Sequence, residues 1–226
     1  MTILDWHGKP APIVDADRYI IGLFAGIPHD DDWHTHVTGP AAALMEEAAE
    51  GIYDHVFSGV YYGMRKQEKR RRNGRPTPLE QKIPRRGGHR SKTVGESMGG
   101  GQKTPCPFFH TILTAIVLTG LLAQKPFQRI AGFTNAMFQC YAPDLHGHYH
   151  STLDALHRWN KNLKRNFLST ASVFAAATFN FGPATVTLPH LDFTNLAWGW
   201  CAITALGNFN PDKGGHLILW DLKLII

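Results

Sequence analysis

The feature that most constrains this chain is a long stretch that cannot build a core. From Met64 to Lys103 it carries 13 Lys and Arg against 3 Glu, a local balance of +10. The segment RKQEKRRRNGRPTPLEQKIPRRGGHRSKTVGESMGGGQKTPCP is rich in Arg, Gly and Pro and has no apolar periodicity. Such a run reads as a mobile loop or insertion, and one this long inside a domain is functional or disordered. The rest of the chain has 10 basic and 15 acidic residues, so the net charge of +5 belongs to one segment and not to the whole surface. Clustered Lys and Arg neutralise phosphates and release counterions, which attracts nucleic acid without regard to sequence. RKQEKRRRNGR also matches the loose composition of a nuclear localisation signal. Two readings of the segment stand: DNA contact through Arg70, Arg71, Arg72, Arg85 and Arg86, or a solvated insertion that happens to be basic.

The flanks must therefore supply the fold. Hydrophobic residues make up 43% of the 226 positions and charged ones 18%, which marks a globular chain with enough apolar mass for a core. Short apolar runs at ILDW, PIVD and RYIIGLFAGIP, separated by Gly, Pro and Asp, predict a small β unit. A helix follows from about Thr38-Gly39-Pro40, with Leu44, Ala48, Ile52 and Val56 along one face. Beyond the basic segment, PFFHTILTAIVLTGLL, KPFQRIAGFTNAMFQCY and PDLHGHYHSTLDALHRW predict three more helices. The pattern then changes to β-type runs: TASVFAAATFNFG, ATVTLPHLDF, GWCAITALGNF and a long, apolar terminal strand in GGHLILWDLKLII. Helices followed by strands argue for an α+β chain with a sandwich or barrel at its C-terminal end. The organisation expected is an N-terminal β/α part (1–63), the basic loop (64–106) and a helical and β core (107–226), forming one domain.

No secretory signal opens the chain, and the most apolar stretch, Thr111–Ala123, is short for a membrane span. Cys106, Cys140 and Cys201 are too few and scattered for a disulfide framework. A soluble protein of a reducing compartment is expected, nuclear or otherwise cytoplasmic, and neither secreted nor membrane-bound.

Within LPHLDF, His190 and Asp192 stand two apart. In a strand such residues share a face, so an imidazole and a carboxylate would point at one place. That is two-thirds of a facial iron site, in which two His and one carboxylate leave three positions open. The same spacing recurs at His29 and Asp31 in an acidic turn, so the bare pattern means little. Context favours the later pair, which follows a β run and a proline.

The series TFNFGPATVTLPHLDFTNLAWGWCAITALGNFNPDKGGHLILWDLKL resembles the core of the fungal, transposon-associated branch of the TET/JBP dioxygenases. ILDWHGKPAPIVD, MGGGQ, RIAGF and TLDAL are similar to that branch too, so the resemblance covers most of the chain. It implies an incomplete double-stranded β-helix (jelly-roll), with Fe(II) and 2-oxoglutarate as cofactors and 5-methylpyrimidine bases of DNA, such as 5-methylcytosine, as substrate. His190 and Asp192 would be the first two iron ligands. The family's distal histidine and the basic residue that holds 2-oxoglutarate have no counterpart before Ile226, which implies a C-terminally truncated member with little or no activity alone. A non-enzymatic nucleic-acid-binding relic is the alternative.

Other residues carry weaker signals. Asn195 has two readings, a contact to the target base implied by the resemblance and a turn-forming Asn. Trp198 and Trp200 read as packing rings. His146, His148 and His150 imitate a metal tract, but with no carboxylate to complete it they read as surface and packing histidines. His216 is the obvious candidate for a third ligand within the chain, but it reads better as a solvated histidine at a strand end.

Overall fold

The computed structural model describes residues 1–50, 52, 89–99, 101–182, 185–190, 192, 195–210 and 212–226. Among the described residues it is a mixed α/β structure with four helices and three small sheets, none of them closed. Strands β1 (Thr2–Ile3), β2 (Ala11–Val14) and β3 (Ile20–Phe24) open the chain. Helix α1 (33–50) follows, and then β4 (Arg90–Ser97) and β5 (Cys106–Pro107). Helices α2 (Ile112–Ala123), α3 (Lys125–Tyr141) and α4 (Pro143–Trp159) precede β6 (Ala176–Phe181), β7 (Ile218–Leu219) and β8 (Leu224–Ile225).

Helices α2, α3 and α4 lie where their patterns place them. Thr111 caps α2 by accepting from the Thr114 amide, and prolines in the first turns of α3 and α4 start those helices where a missing N–H costs nothing. Helix α1 begins earlier than its proline suggests. Its segment His34–Thr38 is a π turn, and the Gly39 amide reaches back to the His34 carbonyl. Pro40 has no amide to donate, and the widened turn immediately before it accommodates that break. The start of α1 is fixed to α3 by Arg129, which pairs with Asp30 at 2.6 Å and lies 5.1 Å over the Trp33 ring.

One core joins the two parts of the chain on either side of the basic segment. Ala41, Ala49 and Ile52 meet Leu118, Leu121 and Leu122 of α2, Phe127 of α3, and Phe179 and Phe181 of β6. Leu44 and Ala48 pack against this cluster, as their spacing predicts; Val56 lies outside the described residues.

Three expectations about strands need correction. The segment 90–97, which its charge and polarity mark as loop, is β4, the central strand of the sheet β5-β4-β6. It pairs antiparallel with β6 from Arg90↔Phe181 to Gly95↔Ala176. Arg90, Lys92 and Val94 sit opposite Phe181, Phe179 and Ala177, so β6 supplies the large apolar side chains that β4 lacks. At Gly95, φ is +115° and a Cβ would lie 2.2 Å from the Ala175 carbonyl, so this strand position needs glycine. Second, the described parts of ATVTLPHLDF and GWCAITALGNF form no strands. Their β-branched and aromatic residues have no paired neighbour, and β propensity counts for little without one. Third, the terminal run is no single long strand but a hairpin, β7 with β8, turning at Trp220–Lys223 with Lys223 at φ 52°. Its last strand is paired on both sides, because β8 also runs parallel to β1.

Candidate metal pair

His190 and Asp192 are brought together by a bend in irregular chain, not by a pleat. The His190 Nε2 lies 3.8 Å from the Asp192 Oδ1. The other ring nitrogen, Nδ1, is 2.7 Å from the Leu188 carbonyl. A carbonyl only accepts, so the neutral ring carries its proton on Nδ1 and its lone pair on Nε2, the nitrogen nearer the carboxylate. Ligand imidazoles are oriented by the same kind of second contact. Two donors about 2.1 Å from one cation and at right angles to it sit about 3.0 Å apart. The two side chains, partly exposed, would need to close by less than an ångström to share an ion. As a two-ligand set the pair fits a divalent metal. Among the described residues, however, no three His, Cys, Asp or Glu converge as a metal site.

The loop beyond the pair is anchored on α4 and α3. The Tyr149 hydroxyl donates to the Trp200 carbonyl at 3.1 Å, and Trp200 stacks on Phe138 with ring centres 5.6 Å apart. Gly199 makes this possible, since a Cβ there would come 2.1 Å from the Tyr149 hydroxyl. Burial pushes the Tyr149 phenol up, so it stays a donor. Cys201 is exposed by its total surface, yet crowding by neighbouring chain, and then the Asp192 carboxylate, push its thiol up and keep it protonated at neutral pH. Trp198 lies exposed against the His148 ring, 5.1 Å away.

The other sequence candidates separate. The backbone amide of Asn195 donates to the Asp192 carbonyl at 2.8 Å, closing a turn just after the pair. His216 is exposed ahead of β7. His29 is exposed, and the acidic turn beside it serves Arg129 through Asp30. The three histidines of α4 have individual partners: His146 is buried against the Asn135 side chain at 3.1 Å, His148 meets Trp198, and His150 pairs with Asp154 at 3.5 Å. Burial, and then His150, hold the His146 ring below its ordinary value. Arg70, Arg71, Arg72, Arg85 and Arg86 lie outside the described residues.

A second polar cluster escaped the sequence reading. Glu96 of β4 meets His157 of α4 at 2.6 Å, and Arg165 pairs with Asp154 nearby. His157 stands in the last turn of an amphipathic helix and Glu96 in a stretch without apolar pattern, so neither announces a partner.

No protein-family model, curated protein or solved structure matches this chain.

Proposed function

We propose that this chain belongs to an Fe(II)- and 2-oxoglutarate-dependent dioxygenase acting on 5-methylpyrimidines in DNA, and that it holds only part of the metal site. The observation that carries the reading is the His190–Asp192 pair, with Nδ1 committed to Leu188 and Nε2 3.8 Å from the carboxylate. In this reading β6, the irregular chain after it and the β7–β8 hairpin are parts of an incomplete double-stranded β-helix. His190 Nε2 and an Asp192 oxygen hold the metal, and iron with 2-oxoglutarate supplies the oxidising chemistry when bound. Asn195 lies close enough in sequence to meet a base presented there. Such a base must leave the duplex stack to reach the site. Tyr149 and Phe138 anchor the loop that follows at Trp200.

Two ligands bind weakly. Fe(II) titrated calorimetrically should show low affinity, lost in the doubly substituted His190→Ala, Asp192→Ala protein. Succinate released in the presence of iron, 2-oxoglutarate and methylated DNA should stay near background. Iron binding indifferent to the double substitution would refute the reading. Robust succinate formation that disappears in His190→Ala would instead reveal a third ligand within the chain.

A second reading, a nucleic-acid-binding protein of the nucleus without catalysis, rests on the concentration of 13 Lys and Arg between Met64 and Lys103. Replacing Arg70, Arg71, Arg72, Arg85 and Arg86 by Gln should then flatten the salt dependence of DNA binding.

A further inference from the structure

Helix α2 differs from the other helices in what it shows to solvent. The exposed positions of α1, α3 and α4 carry charge, with Glu46, Glu47 and Glu50 on the first, Lys125 and Arg129 on the second, and Asp144 and Arg158 on the third. Helix α2, ILTAIVLTGLLA, has no charged residue, and it is apolar on two sides. Leu118, Leu121 and Leu122 enter the core. At about 100° per residue, Ile112, Leu113, Ile116, Thr119, Gly120 and Ala123 fall within one arc of about 120° on the other side, and all six are exposed. A helix without a polar face belongs inside a protein, so the second face of α2 calls for a cover.

The face itself describes that cover. Ile112, Ile116, Thr119 and Ala123 recur at the alternating four- and three-residue spacing of a seam between paired helices, so a helix fits it. The stripe bears no charge, so its partner should bear none; a lipid surface would call for Lys or Arg beside the apolar residues. Gly120 adds an independent sign. Glycine inside a helix is unfavourable relative to alanine, yet a Cβ there would meet no atom of the described residues within 4 Å. Nothing within the chain asks for the missing side chain, whereas a close neighbour from outside would.

The stripe is also graded in size, large at Ile112, Leu113 and Ile116 and small at Thr119, Gly120 and Ala123. Turned end for end against itself, it sets Ile112 opposite Ala123, Ile116 opposite Thr119 and Leu113 opposite Gly120. Each large side chain then meets a small one. A parallel pairing would set large on large and leave a gap at the small end. Phe109, Ile112, Leu113 and Ile116 are 89%, 80%, 49% and 61% exposed. They offer on the order of 500 Å² per copy, so two copies would bury about 1,000 Å², the lower bound for a specific interface.

We propose that two copies of this chain associate through α2, antiparallel across a two-fold axis, with Leu113 of one copy seated over Gly120 of the other. Each contact then occurs twice, and association closes at two copies. The proposal does not depend on iron, since no residue of the stripe belongs to the His190–Asp192 pair or to the loop after it.

Sedimentation equilibrium of the full chain should show a monomer–dimer equilibrium with a dissociation constant on the order of 10 μM, as suits so small an interface. Gly120→Leu is the discriminating change. Within one chain the new side chain enters open space and favours the helix, so folding should be kept or improved. Across the axis it collides with Leu113, and dimerisation should weaken by at least about tenfold. Ile116→Glu should also give a monomer; if that variant fails to fold, Gly120→Leu still decides. A wild type that stays monomeric up to about 100 μM would overturn the proposal, whether the stripe is bare or covered by the chain's own residues. So would a dimer that Gly120→Leu leaves intact, because its contact would lie on another surface.

Discussion

The stretch from α2 to α4 and the stretch from 185 to 217 are both rich in apolar residues, yet they are spent differently. In the first, Leu118, Leu121, Leu122, Phe127 and Phe138 are buried, and each helix is capped or started by its own residues. In the second, Val186 and Ile203 are 74% and 75% exposed, and order comes from a few anchors such as Tyr149 to Trp200. A helix satisfies its backbone within itself, so its apolar face needs only a surface to lie on. A strand needs a neighbour first. Apolar sequence becomes core only where the backbone has been provided for.

Substitution on the two sides sharpens this contrast. Leu118, fully buried in α2, should cost about 2–5 kcal/mol when changed to Ala, whereas Ile203→Ala should fall within about 0.5 kcal/mol of the wild type. Denaturant titrations of the two variants measure the difference, and equal effects would erase the distinction between the regions. Gly95→Ala probes β4, whose Val94 packs against the same core. With φ at +115° and the Ala175 carbonyl in the way, a loss of about 1–3 kcal/mol is expected, read as a lowered unfolding midpoint. The smallest effect belongs to the rim of the helical part. Arg129→Ala removes the partner that, first among several causes, lowers the Asp30 carboxyl. A carboxyl depressed on folding stabilises above its unfolded value and loses that contribution as pH falls through the folded one. The variant should therefore melt slightly below the wild type at neutral pH, and the gap should close in acid.

The helices were legible in the sequence because each carries its own signals: Thr111, Pro126 and Pro143 at the starts, and apolar spacing between. The β2–β3 hairpin was legible for the same reason, since its turn is local. Strand β4 was not. Arg90 and Lys92 look like loop residues until Phe181 and Phe179 stand opposite them, 91 and 87 positions later. The candidate metal pair was legible as a spacing, but the spacing suggested a pleat, and the contact is made by a bend held through Leu188. Glu96 and His157 meet only because β4 pairs with β6 and α4 packs alongside, which no window along the chain contains.

The pairing of Thr2 with Leu224 and Ile3 with Ile225 has a kinetic meaning. Closing a loop of nearly the whole chain from the unfolded state would cost about 5 kcal/mol in entropy, more than two short strands return. The β1–β8 contact can form only after the helices and the β4–β6 ladder have shortened the effective loop. It is the last knot to be tied and the first to slip, so in a partly unfolded chain the two ends part while the helical core still stands.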